Sequence, residues 1–248
     1  MKRTPLNRIP LLAAIALSLA AATATAQDPT SAERKQAQRY LAETRKGVED
    51  SVKGLTEAQW KFKPAPDRWS VAEVVEHLAV IEDVVRDILG KLPQAPAPAP
   101  DRNVKEVDAM LLAKVPDRST KFQAPEMAQP TGRWTPTGTL EHFTASRAQT
   151  AALLESMAGL RAHVINHPVF GALDGYQWII AVAAHTERHT KQILEVKADP
   201  NFPAARPSDA ANLAAAGPAT PPNSPDARPA QAPGSSAVRP ASAVAGVN

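Results

Sequence analysis

Apolar positions recur every three or four residues in four stretches of the chain, the spacing of one face of an α-helix. The first runs from about Ser31 to Lys53, with Ala37, Leu41, Val48, Val52 and Leu55 in register, Ser31 placed as N-cap and Gly54 at the end. The second opens on Ser70-Val71-Ala72-Glu73, a capping box, and continues through Val74, His77, Ile81, Val84 and Ile88 until Gly90 and Pro93 stop it. A third begins at Thr135-Pro136, with proline suited to the first helical position, and carries Leu140, Phe143, Leu153, Leu154 and Met157 before Gly159. Thr and Ser interrupt its face. The fourth, from about Asp174-Gly175 to Lys197, aligns Trp178, Val182, His185, His189, Gln192 and Val196.

No strand pattern competes with these helices, and no segment repeats. The expected fold is all-α: a four-helix bundle of antiparallel helices with a long crossover between the second and third. That crossover, Leu92 to Trp134, holds a short helix from Val104 to Lys114 and then a proline-punctuated stretch. Compact domains seldom keep such a loop without a use, so it is expected to cover one end of the bundle.

Composition changes the picture at both ends. Lys2, Arg3 and Arg8 precede an apolar run from Ile9 to Ala22 and then Ala24-Thr25-Ala26, which reads as a signal peptide over residues 1–26, cleaved before Gln27. The run is too short and too rich in alanine to span a bilayer. The protein is therefore expected to be secreted or periplasmic, without stable membrane insertion. With 24 prolines concentrated in Pro93–Pro100 and beyond Pro200, residues 204–248 read as a disordered Pro/Ala-rich tail, leaving 27–203 for the folded domain. The chain has no cysteine, which excludes disulfides, thiolate metal sites and an acylated N-terminal cysteine. Lys2, Arg3 and Arg8 also account for the whole formal charge of +3; the remainder balances 25 basic against 25 acidic residues. A neutral chain has no electrostatic reason to bind nucleic acid.

The chemistry sits in histidines. His185-Thr-Glu-Arg-His189 places two imidazoles four residues apart, one turn from each other on the same helix face. Both lie on the inward line through Trp178, Val182 and Val196, and His77 lies likewise between Val74 and Ile81. Any one of them alone reads as a core histidine hydrogen-bonded to a neighbour. Three on two buried seams need a common partner, because an unmatched buried polar group costs about 1–3 kcal/mol. One divalent ion would match all three; their nitrogens should then lie about 3 to 3.5 Å apart, around bonds near 2.1 Å. His142 is the reserve ligand, one residue off the Leu140/Phe143 face, while His163 and His167 fall in the turn before the fourth helix and read as structural or exposed. Glu73 and Gln192 are weak candidates for catalytic or orienting roles, although Glu73 is first a capping-box residue and Gln192 equally a polar rim position. Glu187 and Arg188 read as surface pairs. Trp69 and Trp178 read as core anchors.

The run Trp60-Lys-Phe-Lys-Pro-Ala-Pro-Asp-Arg-Trp69-Ser-Val-Ala-Glu-Val-Val-Glu-His77-Leu, with Gln177-Trp178 and His185-Thr-Glu-Arg-His189-Thr-Lys-Gln192-Ile downstream, resembles the DinB-like (DinB/YfiT) superfamily over about Ser31 to Pro203. The resemblance implies a four-helix bundle with one histidine on the second helix and two on the fourth, holding nickel, zinc or a similar divalent ion; iron and manganese are further options. Those positions fall on His77, His185 and His189. Members of the superfamily include thiol transferases, isomerases and hydrolases, so the resemblance alone does not select a reaction. The leading expectation is a metal-dependent hydrolase of a small molecule. The competing ones are a non-catalytic metal- or partner-binding module and a thiol transferase, the last disfavoured by an oxidising compartment. A homodimer is compatible with all three.

Overall fold

The computed structural model describes residues 27–205; the expected signal peptide and Pro/Ala-rich tail lie outside them. Within them the chain runs α1 (Ser31–Val52), α2 (Glu57–Lys61), α3 (Val71–Lys91), α4 (Val104–Lys114), α5 (Pro136–Ser156), β1 (Val164–His167), β2 (Gly171–Asp174) and α6 (Gly175–Lys197). Single 3₁₀ turns at Leu92–Gln94 and Glu126–Ala128 punctuate the crossover. None of the helices among the described residues is long and apolar enough to cross a membrane.

The four long helices α1, α3, α5 and α6 form the bundle, as the periodicity predicts. Their starts are chemically specified. Ser70 accepts from the Glu73 amide while the Glu73 carboxylate takes the Ser70 amide, and Asp174 and Gln177 do the same for α6. Proline occupies the first turn of α5 behind the Thr135 cap. At α1 the cap is Thr30 rather than Ser31, because Glu33 is then correctly spaced to close a capping box.

The helices are not all antiparallel neighbours. Tyr176 bonds the Glu33 carbonyl where α6 and α1 begin, and Lys197 bonds the Ser51 carbonyl where they end, so these two run the same way. α3 and α5 also run together: Val74 near the start of α3 shares one apolar cluster with Phe143 near the start of α5, and Leu89 near its end shares the other with Leu154. Parallel neighbours need a long return, and the crossover from Leu92 to Thr135 supplies it for α3 and α5.

A two-stranded antiparallel hairpin, in the register Val164 to Asp174, precedes α6. Its strands are four residues each, too short for a period-two pattern to register in the sequence. Gly171 turns it at a φ of 71°. Gly175 then brings α6 in close: a Cβ there would lie 2.6 Å from Leu92 and 3.0 Å from the Leu160 carbonyl.

The core divides into two apolar clusters. One gathers Leu41, Val85, Leu89, Leu154 and Ile179; the other Val48, Val74, Leu78, Phe143 and Ile193. Between them lies a polar layer. Arg147, 1% exposed, bonds Glu82 through Nε at 2.7 Å, the Thr44 hydroxyl at 2.9 Å and the Thr186 hydroxyl, while Thr150 donates to Glu82 at 2.7 Å. Every bundle helix contributes to it. Of the Ser and Thr that interrupt the α5 pattern, Thr139, Ser146 and Thr150 are therefore buried, and Thr150 belongs to this layer.

Candidate metal centre

His77, on α3, and His185 and His189, on α6, come together at the level of the polar layer. Their ligand atoms lie within 4.8 Å of one another, and they form the one cluster of three or more such residues found among the described residues. His185 Nε2 is 3.1 Å from His189 Nε2 and 3.4 Å from His77 Nε2. His77 and His189 are buried, and His185 keeps partial exposure.

The hydrogen bonds behind the rings assign their protons. His77 Nδ1 donates to the Ala128 carbonyl at 2.8 Å, and His189 Nδ1 donates to the Gln192 side-chain oxygen at 2.8 Å. Both rings therefore turn an Nε2 lone pair toward His185. Burial pushes all three imidazoles below their ordinary value of 6.5, with His185 and His189 well below it because neighbouring rings and Arg188 add to the effect. The cluster is neutral at neutral pH.

That arrangement does not close on its own. His185 carries one proton, and on Nε2 it can serve only one of the two facing lone pairs. Placed on Nδ1, the proton is buried without a partner. A divalent cation matches all three Nε2 atoms at once, and nitrogens set tetrahedrally around bonds of about 2.0–2.1 Å stand roughly 3.3 Å apart. The two spacings to His185 bracket that value, and the third lies within 4.8 Å. The residues fit a metal ion.

Other residues singled out in the sequence lie elsewhere or act differently. The Glu73 carboxylate is held by the Ser70 amide at 2.7 Å and by Lys63 at 2.9 Å. His142 stacks on Trp134 and bonds Asp83 at 2.7 Å. His163 donates to the Ala95 carbonyl, and His167 accepts the amides of Val169 and Phe170 in the hairpin turn. Gln192 does touch the cluster, through His189. Trp178 is buried, as expected of an anchor, although its Nε1 finds no partner.

One reading is extended and one changes. Trp69 is only partly buried; it packs on the second apolar cluster as expected and also lies against His77 and His189, with ring centroids at 5.0 and 6.4 Å, so that it walls the histidines as well. Among the described residues Arg188 forms no ion pair: it is buried and donates to the carbonyls of Asp117 and Thr120. Glu187 does pair with Lys191, and also accepts the Tyr40 hydroxyl. Glu82 and Arg147 are buried polar residues that the four apolar stripes do not include. Their signal was present: Glu82 sits on the seam of Val75, Leu78, Val85 and Leu89, and Arg147 on that of Phe143, Thr150 and Leu154.

Residues 40–193 match the sequence profile described as the DinB superfamily. An uncharacterized protein of Bacillus subtilis (strain 168), YuaE, is 28% identical over 150 residues, covering 60% of this chain and 89% of its own. Among solved structures, YfiT from Bacillus subtilis, described as a probable metal-dependent hydrolase with an unusual four-helix bundle topology, aligns at a TM-score of 0.43 and 16% identity over 68% of this chain and 89% of that one. A conserved protein from Enterococcus faecalis aligns at 0.46 and 16% identity, over 66% and 94%.

Proposed function

The chain belongs to the DinB superfamily, and from that premise and the three converging imidazoles we propose a metal-dependent hydrolase of a small molecule, acting outside the cytoplasm, with His77, His185 and His189 as ligands of one divalent ion. The observation that carries the reading is the unmatched set of Nε2 lone pairs at 3.1 and 3.4 Å. Neutral imidazoles favour nickel or zinc, with iron or manganese also accommodated.

The protein's own residues define what the centre can do. Ala128 and Gln192 hold His77 and His189 with Nε2 unprotonated, so ligation requires no proton release from either ring. Trp69 shields one side of both rings from water. No fourth His, Cys, Asp or Glu joins the cluster among the described residues, which leaves a coordination position for substrate or solvent. When bound, the ion supplies Lewis acidity, polarising an electrophilic oxygen and acidifying water or a thiol. Export, read from the first 26 residues, favours hydrolysis over transfer from a cytosolic thiol.

A second reading, a non-catalytic metal- or partner-binding module, is favoured by one observation: Glu73, the carboxylate considered for base catalysis, is taken up by its capping box and Lys63. The two separate experimentally. Metal analysis of the purified protein should give about one ion per chain, lost in His77→Ala and His185→Ala. A panel of ester, amide and phosphoester substrates should then show turnover that chelation abolishes and nickel or zinc restores. A full metal complement in both variants removes the metal centre; metal without turnover leaves the binding module.

A further inference from the structure

The crossover is fastened to both helices that carry the histidines. Its first part is held by α6: Arg188 donates to the Asp117 and Thr120 carbonyls, and Lys191 to that of Pro116 at 3.3 Å. Arg118 returns the contact, bonding Glu195 at 2.7 and 2.8 Å and Gln192 at 3.4 Å. Its second part is held by α3. The Ala128 carbonyl accepts from His77, and Glu76, 3% exposed, takes the amides of Thr131 and Gly132 at 2.8 and 2.9 Å. Residues 116–133 thus form a strap from α6 to α3 past the three imidazoles.

Arg188 is the unusual member. It lies in the same turn as His189 and is buried, yet its partners are main-chain carbonyls rather than carboxylates. Burying a guanidinium with no directly bonded carboxylate is costly, and the nearby Asp117 and Glu195 charges offset burial and the Arg118 charge only in part, so the Arg188 pKa stays below its ordinary value. The fork of Arg188 instead fixes two carbonyls of the strap in one geometry.

We propose that Arg188 and Arg118 are positioning residues of the metal centre. By docking the strap they hold the Ala128 carbonyl and the Gln192 side chain, which set the proton position and ring orientation of His77 and His189. Ion binding and strap docking are then one coupled equilibrium, each strengthening the other by the same factor. The proposal rests on the three-histidine metal reading.

The test is zinc affinity by chelator competition on the full-length chain, with amide hydrogen exchange of residues 116–133 measured with and without zinc. Arg188→Gln and Gln192→Leu should weaken zinc about 10- to 100-fold. Gln192→Glu, which keeps an acceptor oxygen for His189, should hold or tighten it. Zinc should slow exchange of the strap amides in the wild type and leave them unchanged in His185→Ala. If Arg188→Gln does not fold, Arg118→Gln and the two Gln192 variants carry the same comparison. Unaltered affinity in the strap variants, or strap exchange indifferent to zinc in a wild type that binds it, overturns the coupling and leaves the metal site standing. A wild type that binds neither zinc nor nickel overturns both.

Discussion

Two polar groups are buried side by side in this bundle, and they are built on opposite principles. Around Arg147 every strong donor and acceptor is matched: guanidinium to Glu82, Thr44 and Thr186, and the second Glu82 oxygen to Thr150. Around His185, the residue next to Thr186 in the chain, the count does not close, and a buried ring nitrogen is left without a partner. A closed polar cluster holds helices in register; an open one, a single residue from Thr186 along α6, fits an ion that would complete it. Burial and polarity alone would not tell them apart. The hydrogen-bond ledger does.

The largest effect that could break this contrast is a paired substitution experiment. Arg147→Met should cost about 3–5 kcal/mol in urea unfolding, because Glu82 is left charged and buried. His185→Leu in metal-free protein should cost no more than about 1 kcal/mol, since at most one hydrogen bond, from Nε2 to a neighbouring ring, is lost and the Nδ1 it removes has no partner. Equal losses in the two variants would erase the distinction between them.

A second matched cluster, at the start of α1, sharpens the contrast through pH. Burial raises the Glu33 carboxyl, but bonds from Lys105, Thr30 and Arg161 outweigh it and hold it at about 2, against an ordinary 4.5. Because the folded value lies below the unfolded one, the stabilisation is fully present above about pH 4.5 and drains away as pH falls toward 2. Over that window the wild type should lose about 1–3 kcal/mol more than Glu33→Gln, with partial exposure discounting the upper figure. Parallel slopes in acid titrations of the two proteins would count against it.

The smallest effect concerns Glu73. Its substitution by alanine should cost about 1 kcal/mol, the worth of a capping box, and leave metal affinity untouched. A large fall in affinity would return it to the catalytic candidates.

These particulars also show what the sequence could disclose. Capping boxes, proline at a helix start and three-four periodicity are local, and they placed α3, α5 and α6 to within a residue or two. His77, His185 and His189 were legible because each stands on an apolar seam where a polar residue needs a reason. Glu82 and Arg147 obey the same rule and could have been found by it. The parallel pairing of α1 with α6 was not legible, because amphipathic helices carry no record of direction. Nor was the strap: its bonds run largely through main-chain carbonyls of Asp117, Thr120 and Ala128, groups that every residue possesses.

The pairing of α1 with α6 has a consequence for how the centre comes into being. The first helix runs alongside the last, with bonded residues 143 and 146 positions apart, and that last helix also brings two of the three imidazoles. A chain still emerging therefore has no site to offer, whatever ions surround it. On the proposed metal reading, the ion would then be drawn from whatever pool surrounds the chain when α6 docks.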